Sequence, residues 1–213
     1  MRGSNVGTKR HEISMMGGDR LTRTRSAFSA ALLAGALFAA PASAQTLDLS
    51  DLPPEARLPG MKLNFQAVVA GTHVFRCVQT DVVGRYAWYL IRSAGTLTDP
   101  KDAPIGETEI RYSGAPSIRT EAKWSDANGA SINSSEVRQG SIPGAPDLQW
   151  RRYHVLAATG AGPLARTTYV LRVTAWKVLP YSSPCDQGHA NQQVSSPFQA
   201  TDLFTFGVLQ PPD

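Results

Sequence analysis

Few residues in this 213-residue chain stand at spacings that chemistry requires. The densest set is the turn Trp124-Ser125-Asp126-Ala127-Asn128-Gly129, where Asp126 and Asn128 place oxygens at alternate positions beside an indole. Oxygens so spaced suit a calcium loop, but in the helix-loop-helix calcium motif Gly falls at loop position six and a bidentate Glu at twelve. Here Gly129 is fourth counting from Asp126, so the segment reads as a hairpin turn whose Asn, Asp and Gly supply left-handed backbone. A second use for Trp124, Asp126 and Asn128 is ligand binding, with an aromatic face for stacking beside polar groups. Against it stands the rule that large aromatics at alternating strand positions, Trp150 included, usually fill cores.

Other chemistry is thinner. His73, His154 and His189 have no partner at a metal-ligand spacing, with no H-E-x-x-H, no C-x-x-C and no His-rich tract. No metal or other cofactor is expected. There is no G-x-S-x-G elbow, and serines near turns are ordinary turn chemistry. A triad assembled from separated strands stays open, since such triads are recognised by geometry and not by sequence position. Glu107 and Glu109 share a strand face and read as solvated carboxylates. Arg151 and Arg152 beside Trp150 offer an anion grip, although a solvated charge pair is the plainer expectation.

The N-terminus reads as a secretory signal. Arg20, Arg23 and Arg25 precede the apolar run Ala27 to Ala40, followed by small residues at Ala42 and Ala44. Those 14 residues are too short for a hydrocarbon core of about 30 Å. Residues 1–44 are therefore expected to be cleaved, leaving Gln45 first. The polar lead before Asp19 is long for such a signal, so Met15 or Met16 is a candidate translation start. Six of the 21 basic and two of the 17 acidic residues lie in this leader, so the exported part carries 15 of each sign. A formally neutral chain gives no reason to expect nucleic acid or an anionic membrane surface as partner. Nor does any later apolar run reach membrane-spanning length.

The only two cysteines, Cys77 and Cys185, both lie in the exported part. A periplasmic or extracellular setting lets such a pair close; two buried free thiols are the alternative.

These residues must be held by strands. Residues 45–60 carry three prolines and little periodicity, and are expected to run extended over the surface with at most a helical turn near Glu55. From Met61 the period is two: Met61, Leu63, Phe65, Ala67 and Val69 share one face. Ala70 and Gly71 are read as a turn, making a hairpin with His73 to Thr80. Strands follow at Tyr86 to Ser93, Ile105 to Tyr112, Arg119 to Trp124, Ala130 to Val137, Leu148 to Ala158, Thr167 to Val178 and Ala200 to Leu209, with loops expected at Gly95 to Pro104 and Arg138 to Asp147. In the longest run, Tyr169, Leu171, Val173 and Ala175 oppose Val170, Arg172, Thr174 and Trp176. Eight to ten strands without a helix after the leader predict an antiparallel β-sandwich or barrel, one domain over residues 61–213.

Several short patterns recur together: Phe75-Arg76-Cys77, then Trp88; Trp124 leading to Asp126 and Gly129; Leu171-Arg172-Val173-Thr174; and Pro184-Cys185. With these the chain resembles a family of secreted bacterial and fungal proteins known as a domain of unknown function, number thirty-four fifty-five, over about Gly71 to Phe206. It differs where that family has paired glycines after the Arg-Val strand, since Trp176-Lys177 stands there. The resemblance implies secretion, a compact domain and a Cys77–Cys185 pairing, and no established activity. Together these readings predict a binding or envelope-associated structural module acting on an unknown ligand or envelope component. An extracytoplasmic hydrolase is the alternative.

Overall fold

The computed structural model describes residues 47–114, 119–175 and 183–207. The leader, and with it the expected cleavage site, lies outside the described residues, as do Trp176 and Val178.

Eight antiparallel strands form a closed barrel in sequence order. They are β1 (Lys62–Gln79), β2 (Tyr86–Thr98), β3 (Pro104–Ser113), β4 (Arg119–Asp126), β5 (Ser131–Ile142), β6 (Ala145–Thr159), β7 (Tyr169–Ala175) and β8 (Gln193–Phe206). β8 pairs with β1 from Lys62–Phe206 to Arg76–Gln193, so the sheet has no edge to protect. No helix among the described residues is long and apolar enough to cross a membrane.

The expected hairpin at Ala70-Gly71 is instead one 18-residue strand, β1. The reason is steric. Gly71 sits opposite Gly95 of β2, and a Cβ at Gly71 would run into the Ala94 carbonyl oxygen. The glycine marks close backbone approach within a strand and not a reversal. The expected loops also shrink. β2 runs through Gly95 to Thr98, and β5 and β6 absorb most of Arg138 to Asp147, leaving Pro143-Gly144 between them.

Alternation then sorts side chains to two sides of the wall. Ala67, Val69, Leu97, Ile110, Ala122, Trp124, Ile132, Tyr153, Val170, Phe198, Ala200 and Phe204 form the main buried cluster inside. Leu164, from the 3-10 turn Leu164–Arg166, and Ala130 join this cluster from the β6–β7 and β4–β5 connections. That end of the barrel is thus closed by apolar groups, with Phe65 stacked on Phe204 at 4.2 Å.

A second buried cluster lies outside the wall. Trp150, Leu171, Val173 and Leu203 are covered by Leu52 and Ala56 of the lead-in, which makes two short 3-10 turns, Leu49–Asp51 and Pro54–Ala56. This explains why β7 is apolar on both faces: one side fills the lumen, the other receives the strap. Asp48 fixes the first turn by accepting from the Ser50 backbone N–H at 2.8 Å while its own N–H donates to Asp51, a reciprocal cap.

Candidate functional site

Four interior positions break the apolar lumen midway, and they are tied to one another. Arg172 of β7 donates from Nε and Nη2 to the two carboxylate oxygens of Asp202 on β8, each at 2.7 Å. Trp124 Nε1 donates to the same carboxylate at 2.7 Å, and Arg172 Nη2 also reaches Thr108 Oγ1 at 3.2 Å. The guanidinium lies near the rings of Trp124 and Phe198, 5.7 and 5.9 Å from their centroids. Arg172 is 3% exposed and Asp202 0%. Burial opposes the Arg172 charge, but the adjacent Asp202 carboxylate outweighs it and drives its pKa above the usual value.

Toward the end that carries the β1–β2, β3–β4 and β5–β6 connections, the lining becomes polar. Arg151 of β6 pairs with Glu136 of β5 at 2.8 Å and stands over the Tyr112 ring at 5.7 Å. Burial disfavours the Arg151 charge, yet Tyr112, Tyr153 and Glu136 more than offset it. Beneath this pair, Tyr153 and Ser134 are buried, and neither the Tyr153 hydroxyl nor Ser134 Oγ has a hydrogen-bond partner among the described residues. Tyr153 packs edge-on against Trp124 at 5.3 Å, and burial raises its pKa well above the normal phenol range, so it stays protonated. A buried unpaired hydroxyl costs about 1 to 3 kcal/mol; the other buried side-chain atoms without a partner among the described residues, Trp150 Nε1 and Arg152 Nε, lie on the outer face.

His73 completes this half. Its Nδ1 shares a 2.7 Å hydrogen bond with Ser93 Oγ, and its ring stacks on Phe198 at 3.9 Å. Burial first, then the positive fields of Arg172 and Arg151, hold its pKa down at about 4. The sign of the pH effect follows. As pH falls below about 6.5, an unfolded chain protonates this histidine while the native barrel refuses the proton until about 4. His73 therefore erodes stability across that window and contributes no penalty above it. Urea unfolding from pH 7.5 to 4.5 should show His73→Asn gaining on the parent as pH drops. A difference between the two that is independent of pH would contradict the burial account.

A cleft of about 960 Å³ opens beside the Arg151–Glu136 pair. It exists because the β4–β5 ladder ends at Glu121–Ser135 while β5 and β6 continue as a hairpin to Ile142 and Ala145. Arg119, Thr120, Arg138 and Gln149 line it, with Arg151 and Glu136 at the lumen side.

The residues singled out from sequence scatter. Trp124 is 0% exposed and its N–H is spent on Asp202, so no stacking surface forms with Asp126 and Asn128. Asp126 instead braces its own turn, accepting from the Asn128 and Ala130 backbone N–H groups at 2.9 Å, and Asn128 is exposed. Glu109 is solvated but paired, with Arg92 at 2.8 Å and Arg111 at 3.1 Å. Arg151 and Arg152 are not a solvated pair. Successive strand residues face opposite ways, sending Arg151 into the lumen and Arg152 outward under the strap, where Nη1 reaches the Glu55 and Ala56 carbonyls at 3.4 Å. His73 has a serine partner and His189 a carboxylate, Asp186 at 2.7 Å, but neither has both. His154 packs at a tilt against Tyr169, their ring centroids 5.0 Å apart.

Cys77 and Cys185 are bonded, with Cα atoms 5.5 Å apart. Sequence reading missed Ser134, Glu136, Tyr153 and Asp202. The available signal was Arg172 between Val170 and Thr174 on a face that had to be interior, because a buried guanidinium demands a carboxylate on a neighbouring strand. Comparisons with protein-family models, with curated proteins and with solved structures find no match for the chain.

Proposed function

We propose that this protein is an exported binding module that admits a small molecule into the polar end of its barrel. The observation that carries the reading is the pair of buried, unpartnered hydroxyls, Tyr153 and Ser134, beneath the Arg151–Glu136 pair at the edge of the cleft. Buried polar groups in native proteins are nearly always satisfied, and a ligand group is one way to satisfy them. The Arg151 and Glu136 side chains keep 12% and 15% exposure, so the pair stands between the cleft and the buried hydroxyls. A ligand group that parts this pair from the cleft side would complete the hydrogen bonds of the hydroxyls beneath it.

Tyr153→Phe separates this from a structural role. It deletes only the hydroxyl, and since that hydroxyl has no partner among the described residues, stability should stay within about 1 kcal/mol of the parent. Saturation-transfer NMR on protein whose intact mass begins at Gln45 should find small polar compounds whose binding this variant abolishes. A panel of neutral, anionic and aliphatic compounds in which no binder responds to Tyr153→Phe would overturn the proposal.

The hydrolase alternative gains less. It needs a histidine touching both a hydroxyl and a carboxylate, and among the described residues His73 has a hydroxyl partner and no carboxylate.

A further inference from the structure

The lumen also constrains the class of ligand, an inference that rests on the binding reading above. Among the described residues, the charged side chains that face the polar half of the lumen are matched at contact distance: Arg151 with Glu136 at 2.8 Å and Arg172 with Asp202 at 2.7 Å. His73, held neutral by burial, adds no charge. The interior is therefore electrically balanced before any ligand arrives, and an ion entering it would bring a net charge into a desolvated space with no counter-charge left to claim.

The hydrogen-bonding inventory points the same way. Tyr153 and Ser134 each offer a hydroxyl that donates and accepts; Glu136 accepts and Arg151 donates. A ligand that meets such a mixed set carries several groups that each donate and accept, and hydroxyls are the neutral groups that do so. We infer that the ligand of this barrel is a neutral polyhydroxyl compound, recognised by Tyr153, Ser134, Glu136 and Arg151. The exposed arginines at the rim, Arg119 and Arg138, stand in water, where an anion gains little from them.

The test uses probes that share one ring and differ in charge. Glucose, galactose, mannose and xylose are titrated as neutral sugars, glucuronate as the anionic analogue of glucose, cellobiose as a longer neutral probe, and octanoate as an aliphatic anion. Calorimetry or NMR should find at least one neutral sugar bound, and glucose or cellobiose favoured over glucuronate by at least tenfold, about 1.4 kcal/mol. Tyr153→Phe and Glu136→Gln should each weaken sugar binding by at least tenfold, and Tyr153→Phe should do so while leaving the unfolding transition in place. Glucuronate or octanoate binding more tightly than every neutral sugar, in a manner lost in Tyr153→Phe, would overturn the neutral class and leave the lumenal site standing. No Tyr153-dependent binding by any of the seven probes would overturn the ligand class and the site together.

Discussion

Replacing Cys77 and Cys185 together by Ala lowers the stability of the barrel by about 4 to 5 kcal/mol. The bond joins positions separated by 108 residues, and constraining an unfolded loop of about 100 residues is worth about 4.7 kcal/mol by chain entropy. Its placement makes the full loop count. Cys77 lies near the end of β1, and Cys185 precedes β8, so the crosslinked loop contains β2 through β7. Two backbone bonds sit beside it, Cys77 N–H to Gln192 O at 3.0 Å and Asn191 N–H to Cys77 O at 2.8 Å. They hold the native ends together with or without the sulfurs, so the loss falls mainly on the unfolded state. The urea m-value should therefore rise in the double variant, because the freed chain exposes more surface. Equilibrium unfolding of the oxidised parent and the variant checks both numbers. A loss below about 1 kcal/mol with an unchanged m-value would show that loop entropy is not what the bond supplies.

How far the sequence could be read divides along physical lines. Period-two patterning in β7 separated Leu171 and Val173 from Val170, Arg172 and Thr174 correctly, since the pleat sends alternate residues to opposite faces regardless of context. What covers each face is a long-range fact. Nothing local in Leu52 or Ala56 announces that they pack on Trp150 and Leu203. Gly71 misled because a glycine looks alike whether it reverses the chain or lets two strands approach. The informative clue was phase: Phe65, Ala67, Val69, His73 and Phe75 stay on one parity across it, which a two-residue hairpin turn does not require. Site residues were hardest. Trp124, Asp126 and Asn128 stood out as a local cluster, yet the structure spends Trp124 on the core and Asp126 on its turn. Tyr153, Ser134 and Glu136 become neighbours only through the β5–β6 register, which their spacing in sequence does not reveal.

Asp202→Ala should cost about 3 to 5 kcal/mol, the usual penalty for stranding one charge of a buried pair. The number is set by what the carboxylate holds. It accepts two bonds from Arg172 and one from Trp124, in a position with 0% exposure. Without it the guanidinium keeps only Thr108 among its side-chain hydrogen-bond acceptors, and the indole N–H is left bare inside the barrel. Arg172→Met reverses the problem by leaving the carboxylate buried with Trp124 as its remaining side-chain donor, and should be comparably damaging. The double variant Arg172→Met with Asp202→Leu should recover most of the loss, since replacing both members of a buried pair by apolar groups of similar volume is often neutral or stabilising. Denaturant titration of the parent and the three variants closes the cycle, with a coupling of at least 2 kcal/mol expected for groups in direct contact. Two single variants that each lose less than about 1 kcal/mol would mean that water reaches the mid-barrel charges. That result would also remove the reason for a neutral ligand, because a lumen that hydrates a stranded guanidinium has no electrostatic objection to admitting an anion.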